Sequence, residues 1–119
     1  KLAQADPHDA QAQRDLSISL GKMADIAMRQ NQLEAAEALV RRSYAVDLRL
    51  ADVNPLSIDT HRDLIADHIQ LAQLLRQRGK RAAAQEEAKK AAALLEKLRP
   101  RLSTADADNL NNRIRPLLR

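Results

Sequence analysis

The chain of 119 residues repeats itself with a period of 48 residues. The segments that align at this shift are Arg14-Asp15-Leu16 with Arg62-Asp63-Leu64, Asp6-Pro7 with Asn54-Pro55, Met23-Ala24 with Leu71-Ala72, and Ala36 with Ala84. Self-similarity at a fixed period of tens of residues is typical of solenoid arrays, in which each repeat is one supersecondary unit stacked on the next. The repeat therefore predicts a stack of helix pairs.

The composition favours an all-α fold. Hydrophobic residues make up 45% of the chain and are mainly Ala and Leu, whereas Phe and Trp are absent and Tyr occurs once. Ala and Leu are strong helix formers. The absence of Cys excludes disulfides and thiolate ligands and suits a cytoplasmic location. No apolar run reaches the roughly 18 residues of a membrane-spanning helix, so we expect no membrane partner.

Capping and turn residues set the boundaries of five predicted helices. These helices run from Asp6-Pro7 to about Arg29, from Leu33 to about Asp52, from between Ser57 and Thr60 to the break at Arg78-Gly79-Lys80, from Lys80 to Leu98, and within residues 103–119. Thr60-His61-Arg62-Asp63 resembles a capping box, and Ser103 is a second candidate cap. Asn31 and Gly79 are predicted to end helices in the left-handed conformation. Because the breaks within pairs are short, the paired helices must be antiparallel.

Apolar stripes predict which side of each helix is buried. In the first helix Leu16, Leu20, Met23, Ala24 and Ala27 follow one another at helical spacing. The small residues Ala36 and Ala84 are predicted to lie where two helices cross. Near the end of the chain, Leu110, Ile114, Leu117 and Leu118 form the stripe of a helix that Pro116 limits.

The domain organisation follows from the repeat. Residues 1–5 match the end of a repeat and are predicted to be the tail of a preceding one; residues 6–53 form repeat 1, residues 54–101 form repeat 2, and residues 102–119 form a C-terminal capping helix. A solenoid needs such an atypical end unit because the last repeat would otherwise leave its apolar face exposed.

The repeat resembles the tetratricopeptide repeat family. Met23-Ala24 and Leu71-Ala72 match its Leu followed by a small residue, Ala36 and Ala84 match its small crossing residue, and Asn31 and Gly79 match its turn. The period is longer than the family's usual ~34 residues, and this elongated form looks like arrays in bacterial signalling proteins and multidomain NTPases. The resemblance implies a right-handed α-solenoid scaffold that binds peptides or partner domains along a concave face.

The same resemblance implies which residues line that face. Transferred by position, they are Gly21, Lys22, Asp25, Met28 and Arg29 from the first repeat and Ile69, Gln70, Gln73, Arg76 and Gln77 from the second. Of these, Lys22, Asp25, Met28, Arg29, Gln70, Gln73, Arg76 and Gln77 are the predicted partner-binding residues. Cations and amides predominate among them, so we expect an acidic or amide-rich extended peptide to suit the face.

Catalytic and metal-binding patterns are missing from the sequence. None of the three His residues pairs with another at i, i+4, and there is neither a Gly-rich phosphate loop nor a nucleophile with a matched base. His68 aligns with Leu20 and is predicted to be packed. Asp59, Asp63 and Asp67 line up on one helix and could hold a hard cation, but a solvated or Arg-paired face is favoured. We therefore predict no enzyme activity, no cofactor and no metal.

Two other functions stay open. Residues 76–101 hold nine Lys or Arg against three Asp or Glu, and these cations could meet the phosphates of nucleic acid. The single aromatic residue, Tyr44, is predicted to pack between helices, so no surface is left on which bases could stack. The domain could instead be a structural spacer or self-association module of unknown oligomeric state. The recurrence of Arg14-Asp15 as Arg62-Asp63 indicates ion pairing between repeats rather than catalysis.

Overall fold

The computed structural model describes residues 7–119. Its helices are α1 (Pro7–Arg29), α2 (Leu33–Val53), α3 (Ile58–Gln77), α4 (Arg81–Leu98) and α5 (Thr104–Ile114), with short 3-10 turns at Arg99–Arg101 and Arg115–Leu118. No strand occurs within residues 7–119. The prediction of an all-helical chain with five helices is confirmed for this part of the sequence.

The two turns that connect the helices within each pair have the same hydrogen-bond pattern. Asn31 has a φ of 59° and Gly79 has a φ of 79°. After α1 the Gln32 N–H donates to the Ala27 carbonyl at 2.8 Å, and after α3 the Lys80 N–H donates to the Leu75 carbonyl at the same distance. This bond, with a left-handed residue just before its donor, is the Schellman motif that ends helices. Both turns predicted from Asn31 and Gly79 are confirmed.

Serine hydroxyls cap the N-termini of α3 and α5. Ser103 accepts a hydrogen bond from the Asp106 N–H at 3.1 Å, as predicted. In α3 the cap is Ser57, which accepts from the Thr60 N–H at 3.2 Å. The predicted capping box beginning at Thr60 is wrong, because Thr60 lies inside the first turn and its own amide is already satisfied by Ser57. The predicted cap of α1, Asp6, lies outside the described residues.

Each helix packs on the next one along the chain. One core cluster joins the first four helices through Ala24, Ala27, Ala36, Val40, Leu71, Leu74, Leu75 and Ala84. Ala36 and Ala84, at relative exposures of 0% and 1%, are buried at the predicted crossings. Because neither carries more than a methyl group, the paired helices can approach closely there.

The C-terminal segment packs against α4. Leu110 and Ile114 of α5, with Leu117 of the following turn, share a second core cluster with Ala91 and Leu95 of α4. The α-helix ends at Ile114 and continues as a 3-10 turn through Pro116, which agrees with the prediction that Pro116 limits this helix. The segment therefore covers an apolar surface of α4 that would otherwise face solvent.

The buried stripe of α1 differs from the prediction. Leu20, Ala24 and Ala27 are buried, but Leu16 is 39% exposed and Met23 is 51% exposed. The prediction that these two residues are buried is wrong. The apolar positions of α1 extend over a wider arc than α2 covers, so one edge of that arc faces outward.

Candidate partner-binding face

A ladder of polar contacts joins α1 to α3. Its three hydrogen bonds run from Arg14 Nε to Asp63 Oδ2 at 2.8 Å, from Gln70 Nε2 to the Gly21 carbonyl at 2.8 Å, and from Gln77 Nε2 to the Met28 carbonyl at 3.2 Å. On each helix the successive contacts are seven residues apart, which is about two turns or ~10.5 Å of rise. The two helices therefore run side by side in the same direction, in register over about four turns.

The predicted partner-binding residues lie along these two helices but serve different purposes. Gln70 and Gln77 are bonded to the backbone of α1 as rungs of the ladder. Arg76 donates to the Pro116 carbonyl at 2.6 Å and so ties α3 to the C-terminal turn. These three side chains hold the segments together, each through one hydrogen bond within the chain.

The remaining predicted residues are more accessible. Lys22 and Gln73 are exposed, and Met28 is half-buried. Arg29 and Asp25 form an i, i+4 ion pair at 2.5 Å on the surface of α1. We name Lys22, Asp25, Arg29 and Gln73 the α1–α3 face. Ile69, which the resemblance also placed on the concave face, is fully buried. The prediction that it lines an exposed binding face is therefore wrong.

The positions of α3 that contact the C-terminal segment correspond to the positions of α1 that contact α3. Arg62, Ile69 and Arg76 are the positions 48 residues after Arg14, Gly21 and Met28. Arg62 pairs with Asp106 of α5 at 3.4 Å, Arg76 bonds to the C-terminal turn, and Ile69 lies in the core cluster that contains Ile114 and Leu117. The same three repeat positions are thus used in both places, although Gly21 and Met28 contact α3 through their backbone carbonyls and not through side chains.

A buried polar cluster lies where α1, α2 and α3 meet. Ser43, Asp47 and Asp67 are 2%, 1% and 6% exposed. The Ser43 hydroxyl contacts both the Ser17 carbonyl at 3.1 Å and Asp67 Oδ1 at 3.0 Å. The hydrogen bond from Ser43 lowers the pKa of Asp67 and so opposes a proton on that carboxyl.

Burial and the neighbouring Asp47 outweigh Ser43 and favour the protonated form of Asp67. Burial, together with a hydrogen bond to the Asp47 carboxyl and its charge, raises the pKa of Asp67 from 3.8 to about 10. Asp47 Oδ1 and Asp67 Oδ2 are buried without another partner in the described chain. A proton shared between the two carboxyl groups would satisfy both oxygens.

Sequence reasoning missed this cluster. It treated Asp67 as one of three carboxylates in a row with Asp59 and Asp63, on a face expected to be solvated or paired with Arg. Asp63 is indeed paired with Arg14, but Asp67 faces Ser43 inside the protein. The available signal was Ser43 within the apolar stripe of α2, with Asp47 one turn later.

The ion pair at one end of the ladder is partly shielded from solvent. The side chains of Arg14 and Asp63 are 32% and 22% exposed. Burial raises the pKa of Asp63 and outweighs the Arg14 hydrogen bond that opposes it. The same hydrogen bond raises the pKa of Arg14. The pair therefore orients two helices at the cost of partly desolvating a carboxylate.

His68 has a structural partner on α4. Its Nδ1 donates to Glu87 Oε1 at 2.8 Å, and its ring meets Tyr44 edge-on with centroids 4.9 Å apart. Burial opposes ionisation of Glu87, but hydrogen bonds from His68 and Lys90 prevail and lower its pKa. His68 is 7% exposed, which confirms its prediction as a packed histidine.

Four of the nine cations in the basic stretch over residues 76–101 pair with carboxylates. Lys89, Lys90 and Arg99 pair with glutamates three residues earlier, and Arg78 pairs with Glu37 of α2 at 2.6 Å. Backbone carbonyls accept from Arg76, Arg81 and Arg101. Seven of the nine cations thus make a contact within the chain, but the three that bond to carbonyls keep their full charge, so the stretch remains positive and could still meet phosphates.

Residues 7–119 contain neither a cluster of metal-binding side chains nor a membrane-spanning helix. Over that range no group of three or more His, Asp or Glu side chains could hold a metal ion. None of the helices described there combines the length and apolar character needed to cross a membrane.

Comparison with protein-family models, curated proteins and solved structures finds no match.

Proposed function

We propose that this protein is a non-catalytic interaction scaffold that binds an extended peptide or a partner domain along the α1–α3 face. The observation that carries the proposal is the parallel, in-register alignment of α1 and α3 by their polar ladder. Two parallel helices held in register offer a regular row of side chains over about four turns, which matches the repetitive backbone of an extended peptide.

The proposed architecture is a right-handed α-solenoid of the tetratricopeptide kind. It is supported by the repeated use of positions 14, 21 and 28 as positions 62, 69 and 76, the first set toward α3 and the second toward the C-terminal segment. As part of the same proposal, the array belongs to a cytoplasmic bacterial signalling protein, because its elongated repeat resembles arrays in such proteins.

The chemistry of the face favours an acidic ligand. Lys22 is exposed, and Arg29 holds Asp25 in an ion pair whose side chains are 75% and 50% exposed. Such surface pairs contribute only about 0–1 kcal/mol, so a ligand carboxylate can replace Asp25 at small cost. Gln73 adds an exposed amide that can bond to a peptide backbone. A modest affinity, on the order of micromolar, is expected from so few contacts.

The experiment is to select binders from a library of acidic, unstructured peptides and measure their affinity by calorimetry. Lys22→Glu/Arg29→Glu should weaken binding at least about tenfold, or ~1.4 kcal/mol. The matched control is Arg42→Glu/Arg49→Glu, which makes the same charge change at exposed positions of α2 and should leave affinity close to wild type. Equal effects of the two double variants would mean that net charge, and not this face, controls binding.

Electrostatic nucleic-acid binding through residues 76–101 remains the alternative, and the internal pairing of that stretch disfavours it. A titration with duplex DNA at two salt concentrations separates the two functions. Binding that weakens steeply with salt would support the alternative.

A further inference from the structure

One side of α1 exposes large apolar side chains. Leu16 is 39% exposed, and Met23 and Ile26 are each 51% exposed. Leu16 lies two positions after Arg14, and Met23 lies two positions after Gly21; Arg14 and Gly21 are both residues of the ladder. Two positions are about 200° around an α-helix, so this side of α1 points away from α3. We name Leu16, Met23 and Ile26 the outer face of α1.

The internal repeat contains the same face a second time, and there it is covered. The positions 48 residues later are Leu64, Leu71 and Leu74, which are 8%, 7% and 0% exposed. Leu71 and Leu74 share a core cluster with residues of α2. The same three positions are therefore buried in the second repeat, where α2 packs on α3, and open in the first.

The covering helix has a distinct chemistry. Ala36, Val40 and Ser43 of α2 are buried at 0%, 1% and 2% exposure, with spacings of four and three residues. Short side chains in this stripe let the helix approach closely and accept the larger Leu side chains of α3. A helix suited to the outer face of α1 should carry the same kind of stripe, small or β-branched at i, i+4 and i+7.

Ser19, a residue beside the outer face, narrows the chemistry expected of the partner helix. Ser19 stands where α3 has Asp67. Because Asp67 is the residue that contacts Ser43 and Asp47 of α2, a helix that packs over Ser19 needs no buried carboxylate at the place of Asp47.

We propose that the outer face of α1 docks an amphipathic helix from a partner helical hairpin of the same repeat kind, packed on α1 as α2 is packed on α3. A second copy of this chain is a poorer occupant. Its α2 stripe is already buried against its own α1 and α3, and its α4 stripe lies in the cluster formed with α3 and α5. The docking surface adjoins the α1–α3 face at Ile26, which is one turn from Lys22 and Arg29, whereas Leu16 and Met23 lie on the side of α1 that points away from the ladder.

The probe for this surface is a synthetic peptide with the sequence of Leu33–Val53 and the change Asp47→Ala. The full chain has no Cys, so Met23→Cys and Leu56→Cys each introduce a single thiol. Leu56 is 75% exposed and lies between α2 and α3. Saturating peptide should slow thiol modification of Met23→Cys at least about tenfold, the effect of roughly 90% occupancy, and leave Leu56→Cys unchanged.

A second measurement uses binding affinity. Met23→Asp/Ile26→Asp should weaken peptide binding at least about tenfold, whereas Leu48→Asp, at an apolar position of α2 that is 40% exposed, should not. Circular dichroism checks that each variant retains its helices. Failure of the peptide to bind, or binding that leaves the thiol of Met23→Cys reactive, would overturn the proposal.

Light scattering tests whether a second copy of the chain binds the outer face. The chain should be monomeric without the peptide. A dimer that Met23→Asp/Ile26→Asp dissociates would show that a second copy occupies the outer face, and the proposal would be wrong.

Discussion

Arg14 on α1 donates from its Nε to Oδ2 of Asp63 on α3 at 2.8 Å, and the bond joins the two repeats. The sequence recurrence of Arg-Asp at a period of 48 residues predicted pairing between repeats, and this contact confirms it. Both side chains of this pair are less exposed than those of the pairs Arg29–Asp25, Lys89–Glu86 and Arg99–Glu96, which each lie within one helix or its end. The two helices that it joins supply the α1–α3 face.

The shielding predicts a measurable coupling between these two side chains. A double-mutant cycle with Arg14→Ala and Asp63→Ala should give a coupling free energy of about 0.5–1.5 kcal/mol from denaturant unfolding. The matched control is the exposed pair of Glu86 and Lys89, which are 66% and 65% exposed and should couple by less than about 0.5 kcal/mol. Equal coupling in both pairs would show that Arg14 and Asp63 add nothing specific to the packing of α1 on α3.

The buried carboxyl pair predicts an unusual dependence of stability on pH. Asp67 keeps its proton in the folded state up to a pKa of about 10, whereas its ordinary pKa is 3.8. Between these values unfolding releases a proton, so the free energy of unfolding should fall as the pH rises. The stabilising contribution of protonated Asp67 is complete below about pH 4 and is lost progressively above it.

Asp67→Asn tests this dependence because the amide cannot ionise. At pH 8 the variant should be more stable than wild type by about 1–3 kcal/mol, and its stability should change less between pH 5 and pH 9. Asp108→Asn, at an exposed position of α5, is the control and should keep the slope of the wild type. A parallel pH profile for Asp67→Asn and wild type would contradict protonation of Asp67.

The crossing of α3 and α4 predicts a sharp size limit at Ala84. This residue is 1% exposed in the cluster between the helix pairs. Ala84→Leu should overpack that cluster and lower the free energy of unfolding by about 1–3 kcal/mol. Ala83→Leu, one position along on the exposed side of α4, should change stability by less than about 0.5 kcal/mol. Thermal or urea unfolding distinguishes the two, and equal melting of both variants would place the crossing elsewhere.

The C-terminal segment should be needed for a soluble, stable domain. Removing residues 103–119 would expose Ala88, Ala91 and Leu95 of α4, which now pack against Leu110, Ile114 and Leu117. The exposed apolar patch should cause aggregation or partial unfolding, measured by light scattering and circular dichroism. The control Leu118→Asp alters a 38% exposed residue of the same segment and should remain monomeric. A truncated chain that stays monomeric and equally stable would contradict the capping role.

Local signals in the sequence determined the helices and their ends. Asn31 and Gly79 end α1 and α3 because the left-handed conformation they adopt stops the helix within the same few residues. Ser103 caps α5 through an amide only three residues away. The recurrence of Arg-Asp also predicted pairing between the repeats. Each of these features rests on short-range geometry or on the repeat itself, so the order of residues was enough to reveal it.

Only the tertiary structure decided which polar and apolar side chains each helix conceals. Met23 and Leu71 occupy equivalent positions in the repeat, yet Met23 is 51% exposed and Leu71 is 7% exposed, because α2 packs on α3 and no described helix packs on that side of α1. Asp67 is buried beside Ser43 and Asp47 of α2, and this burial together with Asp47 raises its pKa. Burial depends on which neighbour arrives from elsewhere in the chain, and the helical periodicity of a single segment does not contain that information.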